Sequence, residues 1–143
     1  MGINVPRLVL SGLVAGFVIN LGELAVNVWI FGDLWAEALA PFGVSMDVPA
    51  LVLWGVGSFI LGIVGVWIYA AIRPCYSAGA GTALRAALAM WAVTYLYVVI
   101  GLLGTGTMPR GLLLGALVWG LVEMGAALYV GAWLYRSGEL AAT

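Results

Sequence analysis

Histidine and lysine are absent from these 143 residues, cysteine occurs once, and charged residues make up only 8%. Each shortage removes a class of function. Without His the chain lacks the commonest ligand of haem, zinc and copper and the commonest general base near neutral pH, so no metal or other cofactor is expected. A single Cys75 permits neither an intrachain disulfide nor a thiolate cluster, and one juxtamembrane thiol is too weak a signal for palmitoylation. Five arginines against six acids leave a net charge of -1 and no basic cluster to neutralise phosphates, which argues against nucleic-acid binding. A soluble domain is about 25% charged, and so little charge cannot keep a folded surface in water.

Apolar residues fill the space instead: 65% of the chain is hydrophobic and its mean hydropathy is +1.17. A bilayer crossing takes about 20 mostly apolar residues. Four such runs stand out, at about 8–31, 50–72, 83–104 and 111–135. They show no strand-like alternation, and in lipid only helices or closed barrels satisfy the backbone, so the whole of 1–143 is expected to form one all-α domain, a four-transmembrane-helix bundle. The first run follows Arg7 and is too long for a signal-peptide core, so it is expected to remain as a helix although Ala36-Glu37-Ala38 mimics a cleavage site. The start Met-Gly-Ile-Asn-Val-Pro lacks the Ser or Thr of a myristoylation signal.

Orientation rests on the arginines. Arg7, Arg73, Arg85 and Arg136 fall at one set of helix ends and only Arg110 at the other, which puts both termini in the cytoplasm by the positive-inside rule. Arg85 and Arg110 are expected to snorkel to opposite surfaces. In the first outer loop, Asp33 to Ala40 reads as a short amphipathic helix on the membrane surface, N-capped by Asp33 and ended by Pro41 and Gly43. Residues 73–81 read as a Pro-, Gly- and Ser-containing turn between helices two and three. The tighter link 104–109 makes helices three and four antiparallel neighbours. Gly65-Val66-Trp67-Ile68-Tyr69 and Gly131-Ala132-Trp133-Leu134-Tyr135 match each other, either as a duplicated pair or as ordinary interfacial anchoring.

Polarity inside the spans is sparse and therefore informative. Helix one places Gly12, Gly16, Asn20, Glu23 and Asn27 on one face, at steps of three and four. Its first half permits close helix approach and its second half is a polar ladder. Helix four carries Gly120, Glu123, Ala127 and Gly131, with Gly111 and Gly115 nearer its start; helix two carries Gly55, Ser58, Gly62 and Gly65. Glu123 lies near the middle of its helix and Glu23 about 5 Å past the middle of its own, at a rise of 1.5 Å per residue. An ionised carboxylate at bilayer centre costs at least about 2.5–3.5 kcal/mol, so both acids should face protein and hold protons, shared if they meet.

Two readings fit this polar set. Asn20, Glu23, Asn27 and Glu123 act either as glue between helices, worth about 1–2 kcal/mol or less per bond, or as a proton path. Thr94, Tyr95 and Tyr97 in the outer half of helix three are read as an aromatic belt or core packing before a cavity lining. Trp91 and Trp119 lie deeper and are read as packing. No phosphate loop, serine elbow, zinc-protease motif, Ca²⁺ loop or paired CxxC is present.

Taken together, the four spans, the polar first helix, the Asp33-x-Trp35-x-Glu37 loop and the run Trp67-Ile68-Tyr69-Ala70-Ala71-Ile72-Arg73-Pro74 resemble small four-span membrane proteins of GC-rich bacteria. The resemblance covers nearly the whole chain, implies a bacterial cytoplasmic (inner) membrane location, and brings no activity with it. The leading functional expectation is a non-enzymatic accessory or interaction subunit in contact with lipid, self-associating as a homo-oligomer or joined to a larger membrane complex. The alternative is a small proton-coupled transporter or exporter working as a homodimer through Glu23 and Glu123. A lipid-modifying enzyme stands third, because the acids alone would have to carry catalysis.

Overall fold

A computed structural model describes residues 3–140, with side chains described to Ser137. Four helices are long and apolar enough to cross a membrane: α1 Val5–Val28, α3 Val48–Tyr76, α4 Ala80–Thr105 and the helix α5, Arg110–Leu140, whose span is Arg110–Ser137. The short α2, Gly32–Leu39, lies between the first two spans and continues into a 3₁₀ turn, Ala40–Phe42. Among the described residues no strand forms. The protein is an all-α, multi-pass membrane bundle.

Local chemistry sets the helix starts. Asn4 Oδ1 accepts from the Arg7 N–H at 3.2 Å and Asp47 Oδ1 from the Ala50 N–H at 3.0 Å, each with a proline in the first two helical positions, where no N–H is needed. α4 ends at Gly106, whose left-handed φ of 65° costs nothing without a Cβ.

Three expectations need correction. α1 stops at Val28 rather than residue 31, because its last turn widens into a π turn, Leu24–Val28, and the chain then reverses: the Phe31 N–H returns to Val26 O at 2.8 Å. Asp33 does not cap α2. Phe31 occupies that position without a side-chain bond, and Asp33 sits in the first turn, where its charge still opposes the helix dipole favourably. α3 runs through Pro74 to Tyr76 instead of ending at residue 72. A proline there forfeits only one bond of the last turn, and past the helix end the Thr82 hydroxyl lies 2.8 Å from Ser77 O and 3.1 Å from Tyr76 O, so its one hydrogen is shared between them.

α1 packs on α3 and α5, and α4 packs on α5 and α3. Small residues bring the backbones together. A Cβ at Gly12 would lie 2.5 Å from Ile63 Cα, one at Gly16 2.5 Å from Phe59 Cα, and one at Gly62 would strike the backbone of Gly12 and Gly16. Ser58 is buried in the same seam and satisfies its hydroxyl on Trp54 O. Gly65 admits Leu128, Gly131 admits Val66, and Gly115 admits the Phe31 ring. Gly111 is exposed one residue inside the start of α5, and nothing in this chain lies within 4 Å of its Cβ position.

At the end that holds both termini the core is aromatic. Tyr69 and Tyr135 are buried edge to face, ring centroids 6.4 Å apart, and the Tyr135 hydroxyl accepts from the Asn4 N–H. The two matched pentapeptides thus meet: each turns its Gly and Tyr inward, while Trp67 and Trp133 point out, both half exposed. Arg73 lies over the Tyr135 ring and Arg85 over the Tyr76 ring, so Arg85 stacks at this end as well as reaching outward.

Candidate functional site

The polar face of α1 divides between two jobs. Asn20 donates through Nδ2 to Gly16 O on its own helix at 3.0 Å and to Gly55 O on α3 at 3.2 Å, and the missing side chain of Gly55 leaves room for the amide. Asn20 is therefore glue between α1 and α3. One turn on, Glu23 and Asn27 take other partners, and the π turn that begins after Glu23 carries Asn27.

Glu23 and Glu123 are brought together by a residue placed among the belt and packing aromatics on sequence grounds. The Tyr95 hydroxyl lies 2.6 Å from Glu23 Oε1 and 2.6 Å from Glu123 Oε2, so one phenol joins α1, α4 and α5. Tyr95 sits in a second π turn, Ala92–Leu96, where the Tyr97 N–H bonds back five residues to Ala92 O. Among the described residues both π turns thus carry site residues; such turns are frequent at functional sites. Tyr97, two residues on, is 76% exposed and faces out of the bundle. Thr94 bonds its own helix at Met90 O, and Trp91 Nε1 donates to Leu117 O on α5, which makes it glue.

Two glycines shape the site. A Cβ at Gly120 would lie 2.5 Å from the Tyr95 ring, so the bare backbone of α5 is the platform on which the ring rests. A Cβ at Gly22 would strike the Glu123 carboxyl, so Gly22 makes room for that acid on α1. Gly22 lies outside every small-residue seam visible in the sequence, because its partner is a side chain on a helix far along the chain.

Proton counting follows from this geometry. Tyr95 has one hydroxyl proton and can donate across only one of its two 2.6 Å contacts. The other contact is a hydrogen bond only if the carboxyl donates to the phenol oxygen. The phenol thus stands between the two acids at a distance that lets either one share a proton with it. Neither acid has an arginine within nine residues along its own helix.

The chain of bonds continues toward the loops. Asn27 Nδ2 donates to Glu23 Oε2 at 2.8 Å, and Trp35 Nε1 on α2 donates to Asn27 Oδ1 at 3.1 Å. At the other end Glu123 is only 3% exposed; its Oε1 and Trp119 Nε1, one turn earlier on α5, are buried without a hydrogen-bond partner. Among the described residues no group of three or more Cys, Asp or Glu is placed to hold a metal.

No protein-family model, curated protein or solved structure matches the chain.

Proposed function

We propose that this protein is a small proton-coupled membrane transporter whose proton site is the Glu23–Tyr95–Glu123 bridge. The observation that supports it is the pair of 2.6 Å contacts on one phenol, which join two acids from different spans inside the bundle. A proton shared among three oxygens can pass from one acid to the other through Tyr95 with little nuclear movement. Helix glue needs no such sharing: Asn20 performs that task with ordinary amide bonds. The chain works as a homodimer, since four spans alone rarely enclose an alternating pathway. It sits in a bacterial cytoplasmic membrane with both termini inside, which topology reporters fused to the C-terminus test.

Two measurements bear on the mechanism. Proton-driven flux in liposomes is expected to vanish in Glu23→Gln and in Glu123→Gln protein that still folds; unchanged flux in both removes the mechanism. The infrared C=O band of a protonated carboxyl is expected in the unmodified protein and is expected to weaken in Glu123→Gln.

A second reading, the accessory subunit, draws on a different observation. Ala50, Leu53, Trp54 and Gly57 border an open groove on α3, with Leu53 and Trp54 largely exposed. The glycine faces that suggest a partner in the sequence are mostly taken up inside the bundle, so this groove is what remains of that argument. Purification in mild detergent tests it: a particle clearly larger than 14.9 kDa with a second protein favours the reading, and a chain that binds no other protein counts against it.

A further inference from the structure

We propose that α2 is the gate of the carboxyl site and that the Trp35 indole is its latch. This deepens the proton-site reading by naming what controls access to it.

Trp35 is the last member of the hydrogen-bonded chain that runs from Glu123 through Tyr95, Glu23 and Asn27 toward the loops. Its role is decided by the amide it holds. Asn27 has one acceptor oxygen and one donor nitrogen to place. With Oδ1 engaged by the Trp35 N–H, Nδ2 must face Glu23, and there it occupies Oε2 as a donor. Glu23 Oε1 is already taken by Tyr95. Glu23 is only half-buried, but with Trp35 in place each of its carboxyl oxygens holds a hydrogen-bond partner, and the one on Oε2 is an amide donor that cannot take up a proton. When the indole leaves, the amide is free to turn, and Oε2 becomes the port through which a proton reaches the site.

α2 is built to leave. It has eight residues, of which only Ala38 is buried, and Leu34, Ala36 and Glu37 are exposed. It begins at Gly32 and its 3₁₀ extension ends at Gly43, whose φ of 66° suits a residue without a Cβ. Few buried contacts and exposed backbone bonds mark the segments of a fold that open first. Glu23, Glu123 and Tyr95 are the titratable groups that meet at the site, and α3 places its own titratable residues, Tyr69, Arg73, Cys75 and Tyr76, near the opposite end. On α2 itself Asp33 and Glu37 are exposed on either side of Trp35 in sequence, and neither enters the chain of bonds that ends at the indole.

A water-soluble, impermeant carbodiimide, which reacts with protonated carboxyls, tests this on the full chain in liposomes of known orientation, with modified residues located by peptide mass spectrometry. In unmodified protein, reagent on the loop side is expected to label Glu23 ahead of Glu123, and reagent on the side of the termini to label neither. Trp35→Phe keeps the ring and removes the donor; labelling of Glu23 should rise roughly five-fold, the equivalent of one net hydrogen bond. Trp29→Phe, at an indole that is 74% exposed and outside the chain of bonds, should leave it unchanged. Equal labelling from both sides of the unmodified protein, an unchanged rate in Trp35→Phe, or an equal rise in Trp29→Phe overturns the gate. Flux that survives both Glu→Gln changes while Trp35→Phe still raises labelling removes transport and leaves the gate; lost flux with unchanged labelling does the reverse.

Discussion

The two ends of the bundle solve the same packing problem by opposite means. Toward the termini, α1 and α3 meet backbone to backbone at Gly12, Gly16 and Gly62, and the space beside them is closed by Tyr69 and Tyr135. Toward the loops the helices are joined through polar side chains that meet at Tyr95, with both π turns at this level. In lipid there is no hydrophobic drive between helices, so contact area and hydrogen bonds must hold them. The first end uses contact area, which tolerates no change of shape. The second uses hydrogen bonds, which can be exchanged without moving a helix.

This contrast can be broken most severely at the close-packed end. Gly62→Leu would push a side chain into the backbone of α1, where no rotamer can give way, so its cost should exceed the roughly 1–3 kcal/mol usual for overpacking. Gly57→Leu, five residues earlier with nothing within 4 Å, should be close to neutral. Denaturant titration in micelles compares them, and similar midpoints would show that the helices can separate freely here.

At the polar end Tyr95→Phe should come next. It leaves carboxyl oxygens buried without their partner, at about 1–3 kcal/mol for each unsatisfied group. Glu123→Gln should cost less than Tyr95→Phe, because an amide can still bond to the phenol; the reverse order would mean that the ring, and not its hydroxyl, holds the helices. The smallest effect is expected at the seam between the two regimes: Asn20→Ala should cost about 0.6–1.7 kcal/mol, the range measured for hydrogen bonds between membrane helices. A loss of flux in that variant would draw Asn20 into the proton site, from which its bonds to Gly16 and Gly55 exclude it.

How much of this is legible in the sequence depends on what each feature requires. The spans and the depth of the two acids follow from hydropathy and a fixed rise per residue, and the helices appear within a few residues of their expected places. Glu23 and Asn27 stand out because polarity in lipid is costly wherever it occurs. Tyr95 does not, since an aromatic near a helix end has an ordinary explanation in the interfacial belt. Its inward direction depends on the rotation of α4, which a π turn resets, and a π turn has no residue signature comparable to a cap. Gly111 shows the complementary case: small-residue spacing states that a helix can be approached, and within this chain nothing approaches it there.

The π turn in α4 also bears on how this chain tolerates a change of length. Such a turn accommodates one residue more than the α-helical path would, whereas removing a residue from an ordinary turn rotates everything beyond it by about 100°. Deleting Val93, a largely exposed member of the Ala92–Leu96 turn, should therefore straighten the helix and leave the faces on either side of it still aligned with their partners. Deleting Leu84, exposed in the regular part of the same helix, should put the two flanking stretches of α4 out of rotational register with each other. The segment that aims the bridging phenol is thus also the place in α4 where the chain can lose a residue and keep its fold.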